Sequence, residues 1–335
     1  MSTRSGPTSA GAAGDLRATL RPVDRLSLAF LAVLGAVALA CHPRPGTILL
    51  ALAAVATGVV VGAAGAPRGG PWTFVHDFFP VLGVILIFSL CGPLIEAANP
   101  ARWDATLAAL DRALFGSLAS AWYGVLGRPW WLTDAAYVAY CGYYVLPVAI
   151  AAALWRGGRA VEFEGFVFTV VATFFASYVG YFLVPASGPR VPAGLEDAVL
   201  GGGAPSAWAR AFLRTFEVNR LDAFPSGHTA LSLVYLVLGW RLLPRWRLPI
   251  ALVAAGTVFA TVYLSLHYVV DVVAGALLAA LMPLLLPPVR RAFQAPASGA
   301  LASARATLAP GAPRTSAGRR HAVARRLDQT SAGRR

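Results

Sequence analysis

The sequence predicts an all-α, polytopic membrane helix bundle. Three observations point there. Of the 335 residues, 57% are hydrophobic and only 13% charged, whereas soluble domains carry about a quarter charged residues. Apolar stretches of membrane-crossing length recur along the chain. The polar residues are segregated to the two ends and to short connectors, and the mean hydropathy is +0.64.

The apolar stretches fall at 24–41, 46–66, 76–96, 131–154, 163–184, 227–243, 248–266 and 268–287. Each approaches the roughly 20 residues that cross a bilayer core. A helix satisfies its own backbone polar groups in lipid, so about eight transmembrane helices are expected. They define a membrane domain over 23–290. Residues 1–22 are rich in Ser, Thr, Gly and Ala and are expected to be a disordered arm. Residues 291–335 form an Arg-rich tail of low complexity, also expected to be disordered.

Two connectors stand out. Between Ala101 and Gly127, Trp103, Leu107, Leu110 and Leu114 recur at helical spacing, with Asp104 and Asp111 on another face. That pattern predicts an interfacial helix lying on the membrane. The loop from Pro185 to Pro225 is long for a membrane connector, and such loops are usually functional or disordered.

The formal charge is +13, and every basic residue is Arg. An all-Arg, Ala/Gly/Pro-rich usage points to a GC-rich genome, and with it to a bacterial cell membrane. The excess charge lies in the arm, the tail and the connectors, where it sets membrane orientation rather than binding nucleic acid. With eight spans both termini lie on one side. That side carries Arg21, Arg25, Arg68, Arg156, Arg159, Arg241, Arg245, Arg247, Arg290 and Arg291 in or near its connectors. The opposite side carries Arg44, Arg102, Arg112, Arg128, Arg190, Arg210, Arg214 and Arg220, offset by Asp104, Asp111, Glu196, Asp197, Glu217 and Asp222. The imbalance predicts cytoplasmic termini. Cys41, Cys91 and Cys141 fit no zinc pattern or disulfide framework and read as small buried apolar residues. His76-Asp77 reads as an interfacial pair at the end that holds the termini.

Three pieces of sequence meet at the other end. Pro185-Ala-Ser-Gly-Pro-Arg190 follows the fifth span, Phe224-Pro-Ser-Gly-His-Thr229 opens the sixth, and Tyr263-Leu-Ser-Leu-His-Tyr-Val-Val-Asp271 joins the last two. Ser226 suits a helix N-cap, and a helix start offers free N–H groups and a positive dipole end to an anion. Gly227 permits close backbone approach, and His228 follows in the first turn. His267 and Asp271 are four residues apart, which on a helix puts both on one face, where a carboxylate can hold an imidazole tautomer. Arg190 suits bidentate phosphate binding. Singly, each has a plainer explanation: His228 as a cap, His267 and Asp271 as a polar pair facing water, Arg190 as a headgroup contact. Together they describe a phosphoryl-transfer site.

The order and spacing of these pieces resemble the type 2 phosphatidic acid phosphatase superfamily, over roughly residues 75–290. The resemblance implies a six-helix catalytic core, with His267 as nucleophile, Asp271 orienting it and His228 as general acid and base. It also implies that Arg190, with the backbone at Ser226 and Gly227, steadies the phosphorus centre, with no metal or other cofactor. Two departures matter: the superfamily's usual first signature is absent, and Thr261 stands where an Arg is usual. Arg220 or Arg112 are candidates to supply the missing cation. Leu110-Asp-Arg-Ala-Leu-Phe-Gly116, Tyr140-Cys-Gly-Tyr-Tyr-Val-Leu-Pro147, Gly188-Pro-Arg190 and the segment from Tyr263 to Asp271 resemble the inositol phosphorylceramide synthase, or inositolphosphotransferase-like, branch.

The resemblance implies a lipid phosphate or phospholipid substrate in the membrane, and it leaves hydrolysis and transfer to an alcohol both open. The alternative is a non-catalytic membrane protein that retains the fold as a lipid-binding or assembly partner, favoured by the missing arginine. A transporter would want polar or broken helices at mid-span, and few polar residues lie there. The orientation is tested with cysteines placed between Val191 and Arg220. They are expected to react with an impermeant thiol reagent in intact cells, and labelling only after lysis reverses the topology.

Overall fold

The structure, a computed structural model, describes residues 19–66, 70–116, 122, 124–190 and 201–294. Ten α-helices have defined bounds: α1 (Pro22–Cys41), α2 (Pro45–Gly65), α3 (Pro71–Ala98), α4 (Asp104–Phe115), α5 (Trp130–Arg156), α6 (Ala160–Leu183), α7 (Ala204–Phe216), α8 (Gly227–Leu242), α9 (Arg247–Tyr263) and α10 (Val269–Phe293). A 3-10 turn, Pro244–Trp246, leads into α9. No strand occurs among the described residues. The expected tail from 295 and the arm through residue 18 lie outside them.

The helix starts are written in the sequence. α1, α2 and α3 each begin on a proline, whose fixed φ and missing N–H suit the first helical turn. Among the described residues, seven helices are long and apolar enough to cross a membrane: α1, α2, α3, α5, α6, α9 with its 3-10 turn, and α10. The eighth expected span, α8, has sixteen residues, about 24 Å at the helical rise. It is short because it sits inside: it packs on α6, α9 and α10, and most of its first nine residues are buried.

The long helices alternate in direction. The C-terminal ends of α3, α6 and α9 therefore meet the N-terminal ends of α5, α8 and α10. Asn99 Nδ2, past α3, donates to Phe182 O at the end of α6 over 2.9 Å. Tyr263 Oη, ending α9, donates to Gly127 O just before α5 over 3.4 Å. Side chains such as Leu50, Leu252 and Leu277 point outward and exposed, as expected where lipid is the solvent. The interior is filled by Ile87, Leu94, Leu154, Tyr178 and Tyr235.

The opposite end is closed by an ordered polar cluster. His76 Nε2 lies 2.8 Å from Asp24 Oδ2. Arg21 Nη1 donates to Asp77 Oδ1 over 2.6 Å and Trp155 Nε1 to Asp77 Oδ2 over 2.7 Å. His76-Asp77 thus staples α1, α3 and α5 together at that end, with His76 and Asp24 buried and Asp77 half-buried, and buried polar groups must find partners. Cys91 and Cys141 are buried as expected, whereas Cys41 is exposed at the end of α1.

The helix expected in this connector exists as α4, with its faces used differently from the expectation. Asp104 accepts from Ser187 N over 3.0 Å, and Asp111 accepts from Val270 N over 2.9 Å. Leu110 and Leu114 point outward. The acids thus dock on protein backbone, and the leucines are left for the lipid. The long loop after α6 also contains a helix, α7. Asp134 of α5 accepts from Gly203 N and Ser206 N over 2.8 and 3.1 Å, which anchors the α7 start.

Candidate active site

The site forms where α8 and α10 begin. Ser226 is the α8 N-cap, its Oγ accepting from Thr229 N over 3.2 Å, as the sequence predicts. Its own N–H donates to Asp271 O over 2.9 Å, tying the start of α8 to the first turn of α10. The two helices approach so closely that a Cβ on Gly275 would lie 2.3 Å from Ser226 O. Gly227 lies against Tyr181, whose Oη would be 2.4 Å from an added Cβ.

His267 is not on a helix with Asp271. α9 ends at Tyr263, Ser265 adopts a left-handed φ of +54°, and His267 sits in the turn before the α10 N-cap, Tyr268. Asp271 lies in the first turn of α10 and accepts from Tyr268 N over 2.8 Å. The pair still meets, with His267 Nδ1 3.6 Å from Asp271 Oδ2. The same Nδ1 lies 2.9 Å from Ala223 O. A carbonyl accepts only, so that nitrogen carries the proton and Nε2 is left with the lone pair. Thr261 O accepts from both Leu266 N and His267 N, over 2.9 and 3.0 Å, so the position of the missing arginine serves the turn through its backbone.

The His228 and His267 rings lie 5.7 Å apart between centroids, close enough for one phosphoryl group to touch both. His228 is stacked on Tyr140 at 4.3 Å and tilted against Tyr143 at 4.3 Å. Arg190, in the loop after α6, is held by the turn that leads to His267: its Nη2 donates to Leu264 O over 2.8 Å and to Tyr137 Oη over 3.0 Å. Gly188, with φ +79°, allows that loop to pass Leu266 O, which a Cβ would approach to 2.2 Å.

The remaining candidates separate. Tyr263 is buried against Phe259 and directs its hydroxyl to Gly127 O, so it braces α9 instead of facing the histidines. Arg220 is exposed in the loop before α8. Arg112 is exposed on α4 and acts electrostatically on Tyr268, the neighbour of His267.

Two acids missed as site residues stand beside the histidines. Glu217, at the end of α7, has Oε1 3.2 Å from His228 Nε2, an ion-pair distance rather than an aligned hydrogen bond. The same oxygen accepts from Tyr144 Oη over 2.5 Å and from Tyr140 Oη over 3.1 Å. Burial pushes the Glu217 carboxyl up, but His228 and the two tyrosine hydroxyls outweigh it and hold it below its ordinary value. Asp222 is pushed up to about 7 by burial and by the Glu217 charge. For His267, burial acts downward, but Asp271, Asp222 and the Ala223 carbonyl outweigh it and raise the imidazole above its ordinary value. Among the described residues, no group of three His, Cys, Asp or Glu side chains could hold a metal ion.

A family model described as the PAP2 superfamily matches residues 105–285, more than half of the chain. The chain belongs to that superfamily. The PAP2 match runs from α4 into α10 and takes in Arg190, Glu217, His228, His267 and Asp271, while α1 to α3 precede it. Members of the PAP2 superfamily are phosphoric ester hydrolases. No curated protein and no solved structure matches the chain.

Asp222 gives this PAP2 site a pH signature that is independent of catalysis. A carboxyl that keeps its proton in the folded state up to about pH 7 makes the fold bind more protons than the unfolded chain, so its stability falls with rising pH between about pH 4 and pH 7. Thermal unfolding in detergent is expected to show Asp222→Asn gaining on the wild type through that window and then holding a constant lead. A lead independent of pH contradicts the raised carboxyl.

Proposed function

We propose that this PAP2 protein is a membrane lipid phosphatase or phosphotransferase working through a phosphohistidine on His267. The observation that carries the reading is the meeting of the His228 and His267 rings, 5.7 Å apart, with His267 Nδ1 engaged by Ala223 O and near Asp271. A lone pair on Nε2 then attacks phosphorus as the ester P–O bond breaks, and a His228 ring proton passes to the departing alcohol oxygen. In the second half, His228 takes the proton of water or of an acceptor alcohol as its oxygen bonds to phosphorus and the N–P bond breaks. Glu217 steadies the His228 imidazolium that stands ready before the first step and is formed again in the second.

Arg190 supplies charge to the phosphoryl oxygens. Ser226 acts here as cap and strut, because its N–H is taken by Asp271 O, and the anion faces Gly227 and the first turn of α8. Arg112, near Tyr268, is the better candidate for the cation missing at Thr261. The resemblances at Tyr140 to Pro147 and at Gly188 to Arg190 favour a transferase-like, inositolphosphotransferase-like member over a plain phosphatase. The arginine imbalance supports cytoplasmic termini and chemistry at the extracytoplasmic face.

Phosphate release from lipid phosphates by the purified protein tests the assignment. His228→Ala is expected to lose on the order of 10²–10⁴-fold in rate, and His267→Ala to fall to background. Equal rates in the wild type and both variants would sink the catalytic reading and favour a lipid-binding role.

A further inference from the structure

The helix α7 presents three separate faces. Ser206, Ala209 and Leu213 are buried, and Ala209 and Leu213 pack with Ala136, Tyr137 and Tyr140 of α5. Arg210 and Arg214, four residues apart, form a basic flank. The Arg210 guanidinium lies 5.4 Å over the Tyr137 ring, and Arg214 is exposed. Trp208, Phe212 and Phe216 form an aromatic ridge with their rings in series. Trp208 is 63% exposed and Phe216 42%, and Val218 beyond them is 52% exposed. α7 packs chiefly on α5, so one narrow strip, rich in small residues, holds the helix to the bundle. The outer side of the ridge is left uncovered by the described residues.

The level of α7 in the fold says what covers it. Its start is fastened to Asp134, one turn into α5 from Trp130 and Trp131, both of them exposed. Exposed tryptophans at the start of a crossing helix mark the boundary between headgroups and acyl chains. At that level a helix with an aromatic ridge and a basic flank lies in the boundary plane, its rings among the chains and its guanidinium groups on phosphates.

We propose that the ridge of α7 is a docking surface for anionic phospholipid at the membrane boundary, and that this lipid seat holds Glu217 against His228. The second half rests on the phosphoryl-transfer reading. Glu217 is the α7 C-cap, and its Oε1 lies 3.2 Å from His228 Nε2. A helix gripped along one strip can roll about it. Lipid on the ridge supplies the second surface that prevents rolling, and with it the position of Glu217. Trp208 is thus a positioning residue acting through Glu217.

The occupant is read without turnover. The protein is placed in bilayer discs of phosphatidylglycerol whose acyl chain carries a diazirine near the headgroup, and is labelled by light. Label is expected on Trp208, which lies outside the apolar cavity that reaches His228 between α3, α5 and α6. Label on Trp130 with none on Trp208 overturns the lipid seat.

The coupling is read with p-nitrophenyl phosphate, whose solubility in water removes substrate partitioning from the comparison. Trp208→Glu with Ala211→Glu places charge at two exposed positions, and glutamate suits a helix. In the discs this pair is expected to lower kcat about tenfold and to leave KM within about twofold, whereas in Glu217→Gln it is expected to cost less than about twofold, because the group it displaces is already gone. Trp208→Leu, which keeps the ridge apolar, is expected to hold the wild-type rate. An unchanged kcat, or the same loss in both backgrounds, overturns the coupling. Label on Trp208 in a protein whose His267→Ala variant is fully active would instead overturn the chemistry and leave the lipid seat standing.

Discussion

The site depends on the meeting of two helix starts. The Ser226 N–H donates to the Asp271 carbonyl, and Gly275 lets the backbones close to a distance that any side chain would prevent. α8 and α10 are thereby held with their first turns side by side. His228 rides on the first turn of α8, and His267 on the turn entering α10. Neither histidine would be placed without that junction, because 38 residues of helix, 3-10 turn and connector separate them in the chain. Small residues at such crossings are the usual means of close helix approach in lipid, where burying apolar surface gives no advantage between helices.

Around this junction the connectors are tied down by carboxylates that accept from backbone N–H groups. Asp104 holds the loop leading to Arg190, Asp111 holds the start of α10, and Asp134 holds the start of α7. Each satisfies donors that would otherwise be left unpaired near an apolar phase. α7 then carries Glu217 to His228. The polar residues of the chain are concentrated where they order the site, and α5, α6 and α8 offer mainly apolar and aromatic surfaces to the bundle interior.

Much of this was legible in the sequence because lipid imposes simple rules. Apolar lengths located the crossing helices, and Ser226 was readable as a cap. Other features were hidden for physical reasons. α10 continues through Pro283, Pro287 and Pro288 to Phe293, although prolines ordinarily mark a helix end. The expected spans break at His267, but the turn made at Ser265 carries no glycine or proline to announce it, so the helical pairing of His267 with Asp271 was expected where a turn and an N-cap stand. α7 lies in a connector too short in apolar residues to read as a span, though the four-residue spacing of Trp208, Phe212 and Phe216, whose rings pack in series in the structure, was a helical signal. Asp104 and Asp111 were readable as one face of a helix but not as anchors, since their partners are backbone groups about 80 and 160 residues away. Glu217 and Asp222 had no local pattern at all, and only the tertiary fold brings them to the histidines.

The proposed chemistry divides the work of a phosphoryl transfer between two regions. The α6 loop and the turn before α10 gather Arg190 and His267, and α8 with α7 gathers His228 and Glu217 beside the apolar cavity. The most direct measurement is to look for the bond this division exists to make. The protein is mixed with a radiolabelled lipid phosphate and quenched in alkali, which preserves phosphohistidine, and its peptides are mapped by mass spectrometry. Phosphate on His267, absent from His267→Ala, is the predicted result. Substrate turnover with no label on His267, or with label on another residue, would contradict the account.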